Sequence, residues 1–222
     1  IIKMGENPKF VYNTGSPSID EVLKNRITKK KDLEKKYHMS FTGDEILLLQ
    51  HPVTTQYEET KNEIINTLEA IVKIKKPTIA IAPNSDLGNN QIFKYIKLFS
   101  EQFPFIKMYK NIPRDDYLGL LKNCGVLVGN SSSGIIEASY FDISVVNIGI
   151  RQNNREKGKN IFDVSTFSSK LIYSTIKNVL KKQRKIHNPN KFIYGDGKTS
   201  KKIVKILENT HLNKQLIQKQ IS

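Results

Sequence analysis

The sequence predicts an α/β domain built on a doubly wound parallel sheet. Short apolar runs typical of buried strands alternate along the chain with longer segments of helical periodicity. Strands that alternate with helices are joined by right-handed crossovers, which produce a parallel sheet covered on both faces. A length of 222 residues and a hydrophobic content of 38% suffice for such a core. Ligand-binding loops are therefore expected at the edge of the sheet where the strands end.

The individual elements follow from these runs and from the turn residues between them. Strands are predicted at 10–13, 45–50, 78–82, 106–109, 125–128 and 144–148, and helices at 18–24, 33–37, 57–74, 91–103, 115–122 and 133–141. Beyond residue 160 only helices are predicted, at 168–182, 200–208 and 211–220, with a loop at 188–190 and a turn at 194–197. The chain 1–222 is thus read as a single domain, with an α/β core at 1–160 and a helical C-terminal segment at 161–222.

The net charge of +15 is concentrated in the C-terminal third of the chain. Residues 151–222 hold 17 of the 36 Lys and Arg residues but only four of the 21 Asp and Glu residues. Helical periodicity leaves most of these cations on a solvated face, which is the simplest interpretation. A docking surface for an acidic partner and a polyanion site are the alternatives. The basic helices lack interleaved aromatic residues, so a specific nucleic-acid partner is not expected.

Composition also limits the classes of site. The lone Cys124 cannot form an internal disulfide, and its apolar surroundings indicate a buried, inert thiol. No ligand cluster suggests a metal, so neither a metal nor a cofactor is expected. No apolar run approaches the roughly 18 residues of a membrane span, and no secretory signal is visible. A cytoplasmic protein without a membrane partner is therefore expected.

A serine-rich turn at 129–137 is the most informative motif. It lies between a predicted strand and a predicted helix that begins near Ser133. The first N–H groups of a helix have no intrahelical partner, and the helix dipole is positive there, so the turn suits a phosphate. The residues expected to surround that anion are Ser131, Ser132, Ser133 and Gly134.

Charged residues near this turn extend the prediction. Glu137 lies one helical turn beyond Ser133, where its carboxylate can accept hydrogen bonds from a ribose diol, or can simply stabilise the helix start. Arg151 and Arg155 follow the last predicted strand, and a guanidinium matches paired phosphate oxygens. Ser16, Asn130 and Gln152 also lie in loops after predicted strands and are further candidates.

His51 ends a predicted central strand, and Pro52 keeps its backbone extended. Its imidazole is expected to point into the cleft, where it can donate to a phosphate or shuttle a proton near neutral pH. A structural role is the alternative. His38, His187 and His211 are read as surface residues.

The segment 112–117 joins a strand to a helix. Backbone around Ile112 and the ring of Tyr117 can flank a flat base, although the spacing alone favours ordinary packing of Tyr117. Asp115 and Asp116 are read as helix caps. Neither a P-loop nor a Gly-x-Gly-x-x-Gly dinucleotide fingerprint is present.

Four segments taken in order resemble the UDP-N-acetylglucosamine 2-epimerase family. They are Gly-Ser-Pro-Ser-Ile-Asp at 15–20, His-Pro-Val-Thr at 51–54, Asn-Ser-Ser-Ser-Gly-Ile-Ile-Glu at 130–137 and Gly-Ile-Arg-Gln at 149–152. The serine turn followed by Arg-Gln, and Tyr-Gly-Asp-Gly at 194–197, resemble the hydrolysing branch. That branch releases N-acetylmannosamine and UDP for sialic-acid-type sugars. The resemblance covers only the C-terminal domain of enzymes with two Rossmann-like domains in the GT-B arrangement.

The resemblance implies roles for particular residues. UDP binding falls on Ser131, Ser132 and Glu137, with Arg151 at the phosphates. His51 corresponds to a histidine beside the diphosphate leaving group. Ile112 and Tyr117 correspond to the segment that holds uracil. Some relatives have cysteine or glycine at Ser133 and a polar residue at Ile136, and neither departure removes a proposed contact.

The resemblance also implies chemistry and partners. The C2 proton is abstracted as UDP leaves, and the resulting glycal is hydrated from the opposite face. The acids and bases come mainly from the N-terminal domain, so a fragment without that domain is expected to be inactive. UDP, a UDP-N-acetylhexosamine and the N-terminal domain are the expected partners, and the resemblance leaves room for a homo-oligomer. A non-hydrolysing 2-epimerase, a GT-B glycosyltransferase and a polyanion-binding module remain as alternatives.

Overall fold

The computed structural model describes residues 1–24, 26–182 and 193–217. The chain divides into two compact units, one formed by Ile1–Lys24 with Tyr194–Ser222 and the other by Asn25–Ile193. The described sheet lies entirely in the larger unit.

The larger unit is built on six parallel strands in the order β3-β2-β1-β4-β5-β6. This order confirms the predicted doubly wound class, because the first strand is central and the chain winds outward from it in both directions. The strands are β1 Ile46–Leu49, β2 Thr78–Ile81, β3 Ile106–Tyr109, β4 Val126–Gly129, β5 Ser144–Ile148 and β6 Ile161–Val164.

Helices connect these strands and cover the sheet. On one face, Ile64 and Leu68 of helix α3 (Thr60–Ile74) pack into the same buried cluster as Ile46 and Leu48 of β1. Burial of such side chains contributes about 2 kcal/mol each, which fixes the helix against the sheet. The helices of this unit are α2 Lys30–Tyr37, α3 Thr60–Ile74, α4 Asn89–Gln102, α5 Arg114–Asn123, α6 Ser132–Ile136 and α7 Ser169–Lys182.

The winding direction reverses between β1 and β4, which pair in parallel up to Leu49 and Gly129. Gly129 has a φ of 131°, and a Cβ there would overlap the carbonyl oxygen of Leu49. Only glycine permits this approach of the two strand ends. In open α/β sheets the crevice at such a switch point, beyond the carboxyl ends of the strands, is where ligands bind.

The smaller unit contains α1 Pro17–Lys24, α8 Thr199–Glu208 and α9 Lys214–Ile217. Buried Asp20 of α1 accepts hydrogen bonds from the backbone N–H groups of Thr199 (2.9 Å) and Ser200 (2.7 Å). A carboxylate at the start of α8 satisfies donors that have no partner within the helix, so it holds these two segments together.

Two sequence predictions about this architecture are wrong. Residues 10–13 do not form a strand, because Pro8–Phe10 form a 3-10 turn in which the Asn7 side chain accepts from the N–H of Lys9. The segment after residue 160 is not purely helical, because Ile161–Val164 pair with β5 as an edge strand. The short Ile-Phe-Asp-Val run has little apolar periodicity of its own, and its pairing comes from the neighbouring strand.

Other predicted boundaries hold to within a few residues. The 133–141 helix is a short α6 followed by a 3-10 turn at Ala138–Phe141. The predicted 188–190 loop lies outside the described residues, as does the end of the 211–220 helix. Among the described residues, no helix is both long and apolar enough to cross a membrane. The interpretation of 1–222 as one functional domain stays a prediction.

Candidate functional site

Asn130 joins the loops at the switch point of the sheet. Its side-chain Oδ1 accepts from the backbone N–H of His51 (2.7 Å), and its Nδ2 donates to the carbonyl of the same residue (2.8 Å). Its own carbonyl accepts from Nη1 of Arg151 (3.2 Å) and Nε2 of Gln152 (2.8 Å). Asn130 is fully buried. The loops after β1, β4 and β5 are therefore fixed to one another by a single residue.

His51 is a neutral imidazole at this position. Its Nδ1 accepts from the backbone N–H of Asn84 (3.1 Å), so the ring proton belongs on Nε2. Burial, with the neighbouring Arg151 guanidinium as the next cause, lowers the pKa of His51 from 6.5 to about 4. Near neutral pH the ring therefore acts as an Nε2–H donor, which favours hydrogen bonding to a ligand over proton shuttling by the isolated site.

The loop after β5 presents Arg151 at the same edge. Besides its contact with the carbonyl of Asn130, its Nη2 lies 3.9 Å from Oδ2 of Asp86, and its side chain is 27% exposed. Gln152, next along the loop, is buried. Arg155 is exposed. The guanidinium of Arg151 is therefore fixed in position but still accessible to a ligand. The buried Gln152 side chain instead stabilises the loop.

The serine turn forms the helix start that the sequence predicts. Ser131 caps α6: its Oγ accepts from the N–H of Ser133 (3.3 Å), and its carbonyl accepts from the N–H of Gly134 (3.0 Å). Ser132 is the first residue of α6, so its N–H has no acceptor within the helix. A Cβ on Gly134 would lie 3.0 Å from the side chain of Val145, so glycine here lets α6 pack closely on β5.

Glu137 belongs to a hydrogen-bond network beside this turn, of which only some members were predicted from the sequence. Its Oε2 accepts from Oγ of Ser133 (2.6 Å), which in turn accepts from the hydroxyl of Tyr117 (2.6 Å). Arg114 donates to both carboxylate oxygens, from Nη1 to Oε2 (3.1 Å) and from Nη2 to Oε1 (2.5 Å). Arg114 was not among the predicted site residues. Its position directly after Pro113, where the connection from β3 ends and α5 begins, is the sequence signal that points to it.

A cavity of about 260 Å³ opens beside this network. Ile112 and Tyr117 are buried and line it, so the segment predicted to hold a base does border an open cavity. Apolar walls with a few polar groups at the rim are typical of a small-molecule site. The complete lining is Leu49, Ile81, Asn111, Ile112, Arg114, Tyr117 and Ser133.

The predicted caps of α5 are wrong, because the helix begins at Arg114 rather than after the aspartates. The buried carboxylate of Asp116 accepts from Thr28 Oγ1 (2.6 Å), Lys36 Nζ (2.6 Å) and the Tyr37 hydroxyl (2.8 Å). Asp116 therefore anchors α5 to the segment around α2, and with it the start of the helix that carries Arg114 and Tyr117.

Ser16 belongs to the smaller unit, where its N–H donates to the carbonyl of Tyr194 (2.6 Å). Cys124 is buried, which raises its thiol pKa and agrees with an inert thiol. Within the described ranges, no three His, Cys, Asp or Glu side chains cluster in a way that could hold a metal.

The basic C-terminal segment is solvated where the structure describes it. Lys201 and Lys205 lie on exposed positions of α8, and Lys202 pairs with Asp196 (3.1 Å). Lys181 and Lys182 end α7, where cations favour the helix dipole. Residues 183–185 and His187 lie outside the described residues.

Comparison with solved structures places this architecture among known folds. The crystal structure of UDP-GlcNAc 2-epimerase from Neisseria meningitidis bound to UDP-GlcNAc superposes with a TM-score of 0.72 at 18% identity, over 94% of this chain and 58% of that one. That similarity confirms the Rossmann-like fold, of the type found in the two-domain GT-B arrangement.

Sequence comparisons identify the family. The chain is 31% identical over 219 residues to the UDP-N,N'-diacetylbacillosamine 2-epimerase (hydrolyzing) of Legionella pneumophila, covering 99% of this chain and 57% of that protein. It is 32% identical over 168 residues to the GDP/UDP-N,N'-diacetylbacillosamine 2-epimerase (hydrolyzing) of Campylobacter jejuni, covering 73% of this chain and 43% of that protein. The chain thus spans about half the length of these relatives. Because the family model for UDP-N-acetylglucosamine 2-epimerase matches residues 1–208, the chain belongs to the UDP-N-acetylglucosamine 2-epimerase family.

Proposed function

We propose that this chain supplies the UDP-binding part of a hydrolysing UDP-N-acetylglucosamine 2-epimerase, which converts UDP-N-acetylglucosamine and water to N-acetylmannosamine and UDP. The observation that carries the proposal is the convergence at the switch point. Asn130 fixes His51 and Arg151 beside the serine turn, next to the cavity bordered by Ile112. These groups offer, side by side, what a nucleoside diphosphate requires.

The diphosphate is assigned to the start of α6 and to Arg151. The N–H of Ser132 and the positive end of the helix dipole attract an anion, and the guanidinium adds charge-assisted hydrogen bonds. The hydroxyls of Ser131 and Ser132 lie at the same turn. Binding at this place positions the uridine toward Glu137 and the cavity, with the ribose diol at the carboxylate and uracil between Ile112 and Tyr117.

Catalysis by this part of the enzyme consists of stabilising the leaving group. As the C1–O bond breaks, negative charge grows on the diphosphate, and donors already in place stabilise that transition state more than the ground state. The Nε2–H of neutral His51 is one such donor. The bound dianion favours the imidazolium, so the same ring can deliver a proton once the substrate is present.

Proton abstraction at C2 is assigned to groups outside this chain, so the chain by itself is expected to bind UDP without releasing N-acetylmannosamine. Release of that sugar by the isolated chain would contradict this part of the proposal. The two hydrolysing relatives act, by name, on diacetylbacillosamine nucleotides, so a diacetamido sugar is the second candidate substrate. The proposal includes a cytoplasmic location and a role in the synthesis of sialic-acid-type or surface-polysaccharide sugars.

Isothermal titration with UDP tests the site. Loss of one charge-assisted hydrogen bond costs about 1.5–3 kcal/mol, so Glu137→Gln and Arg151→Met should each weaken binding roughly ten- to hundredfold. Lys159→Met is the matched control, because it removes an exposed cation from the same loop that is not assigned to the site. Equal affinity in all four proteins would exclude the assigned site. Titration with UDP-N-acetylglucosamine and its diacetamido analogue then ranks the two substrates.

A further inference from the structure

The contact between Arg114 and Glu137 neutralises the carboxylate and also fixes its orientation. The guanidinium approaches the carboxylate end-on, with Nη1 3.1 Å from Oε2 and Nη2 2.5 Å from Oε1. A two-point contact of this kind fixes the plane of the carboxylate as well as its position. The Glu137 side chain is 7% exposed and that of Arg114 is 36% exposed, so the pair lies at the boundary between interior and solvent.

The donors around Glu137 are distributed unevenly between its two oxygens. Among the described hydrogen bonds, Oε2 accepts from both Arg114 and Ser133, whereas Oε1 accepts from Arg114. Each carboxylate oxygen has about two acceptor positions. Oε1 therefore retains room for a further donor, and Arg114 determines the direction in which that position points.

Arg114 also belongs to the wall of the 260 Å³ cavity, together with Asn111 and Ile112. It begins α5, and Tyr117 lies one turn further along that helix with its hydroxyl bonded to Ser133. The cavity wall and the carboxylate are thus held by the same short segment. Arg114 therefore contacts both the cavity and the Glu137 carboxylate.

We infer that Arg114 is a positioning residue that makes Glu137 selective for a ribose hydroxyl, and so distinguishes ribonucleotides from their deoxy analogues. The inference rests on the proposed UDP site and adds to it a residue and a specificity. Without the guanidinium, the orientation of the Glu137 carboxylate is no longer fixed. The loss of one ribose hydroxyl should then reduce the affinity for the nucleotide less.

The experiment compares the binding of UDP, 2'-deoxy-UDP and 3'-deoxy-UDP to the wild-type chain and to Arg114→Met. The wild type is expected to bind at least one deoxy analogue about tenfold more weakly than UDP, because a hydrogen bond to a charged group is lost. In Arg114→Met the difference should fall to within about twofold, with UDP itself weakened. Arg114→Lys, which keeps the charge but not the planar fork, should fall in between.

Arg151→Met is the matched control, since an arginine that binds phosphate should weaken UDP and both analogues in parallel. Glu137→Gln provides a second variant should Arg114→Met fold poorly, as judged by circular dichroism. Glu137→Gln should show the same loss of discrimination between UDP and its deoxy analogues. The double variant Arg114→Met/Glu137→Gln should discriminate no less than either single variant.

The outcomes separate the inference from the proposed function. If the wild type discriminates and Arg114→Met keeps that ratio, or binds UDP more tightly, Arg114 is not a positioning residue and the inference is overturned. If the wild type binds UDP but does not discriminate, the inference is also overturned while the UDP site stands. If the wild type does not bind UDP, the proposed function fails and the inference with it.

Discussion

Asn130→Ala is the perturbation that bears most directly on how the site is assembled. The Asn130 side chain spans the gap between the ends of β1 and β4, where both its amide atoms bond to the backbone of His51. Alanine removes both partners at once. The carbonyl of residue 130, which accepts from Arg151 and Gln152, is part of the main chain and remains.

The magnitude follows from the two backbone groups left without a partner. An unsatisfied buried donor or acceptor costs about 1–3 kcal/mol, and His51 is half-buried, so about 1–2 kcal/mol for each group is appropriate. Asn130→Ala should therefore lower the free energy of unfolding by about 2–4 kcal/mol. Because the loop that carries His51 loses its tether, UDP affinity should fall about tenfold or more, although residue 130 is not assigned to touch UDP.

Urea denaturation and UDP titration measure both effects. Asn66→Ala is the matched control, because in the described part of the chain the Asn66 side chain donates to the carbonyl of Asn62 in its own helix (2.8 Å). Its loss should change stability by less than about 0.5 kcal/mol. If Asn130→Ala is as stable as that control and binds UDP normally, then the amide bridge at the switch point does not organise the site and the reasoning is refuted.

Three further predictions concern buried groups near the site. Burial raises the pKa of Glu63 from 4.5 to about 7, so the free energy of unfolding should fall as pH rises from 4.5 to 7, by about 3 kcal/mol. Urea denaturation at pH 5 and pH 8 should show that Glu63→Gln loses this pH dependence of stability, whereas the control Glu58→Gln, at an exposed position, keeps it. An equal pH dependence in both variants would contradict the raised pKa of Glu63. The pKa of His51, followed by NMR, should lie near 4 and rise when UDP binds, whereas a midpoint near 6.5 would contradict its burial. Gly129→Ala forces a Cβ onto the carbonyl of Leu49 and should cost roughly 3 kcal/mol or more in urea denaturation, so near-wild-type stability would show that the strands do not approach so closely.

The central strands could be predicted from the sequence because their signals are local. Ile46–Leu49 and Val126–Gly129 are continuous apolar runs bounded by turn residues, which is the pattern of strands buried on both faces. The edge strand Ile161–Val164 could not be predicted in this way. Ile161 and Phe162 are half-buried, Asp163 is exposed and Val164 is buried, so the run lacks a strand pattern, and its conformation depends on pairing with β5.

The site follows the same division. Ser131, Glu137 and Arg151 could be placed at one edge from the rule that loops after parallel strands converge. The hydrogen bonds within the site could not be predicted, because they join residues far apart in sequence. Arg114 and Glu137 are separated by 23 positions, and Asn130 and His51 by 79. The neutrality of His51 is likewise a consequence of burial, which no spacing reveals.

The proposed UDP site can be observed in a crystal structure of this chain grown with UDP. We expect a diphosphate oxygen about 3 Å from the N–H of Ser132, with Arg151 on the phosphates, a ribose hydroxyl on Glu137 and uracil in the cavity bordered by Ile112 and Tyr117. A UDP molecule bound elsewhere, with the serine turn and the cavity left open, would contradict it.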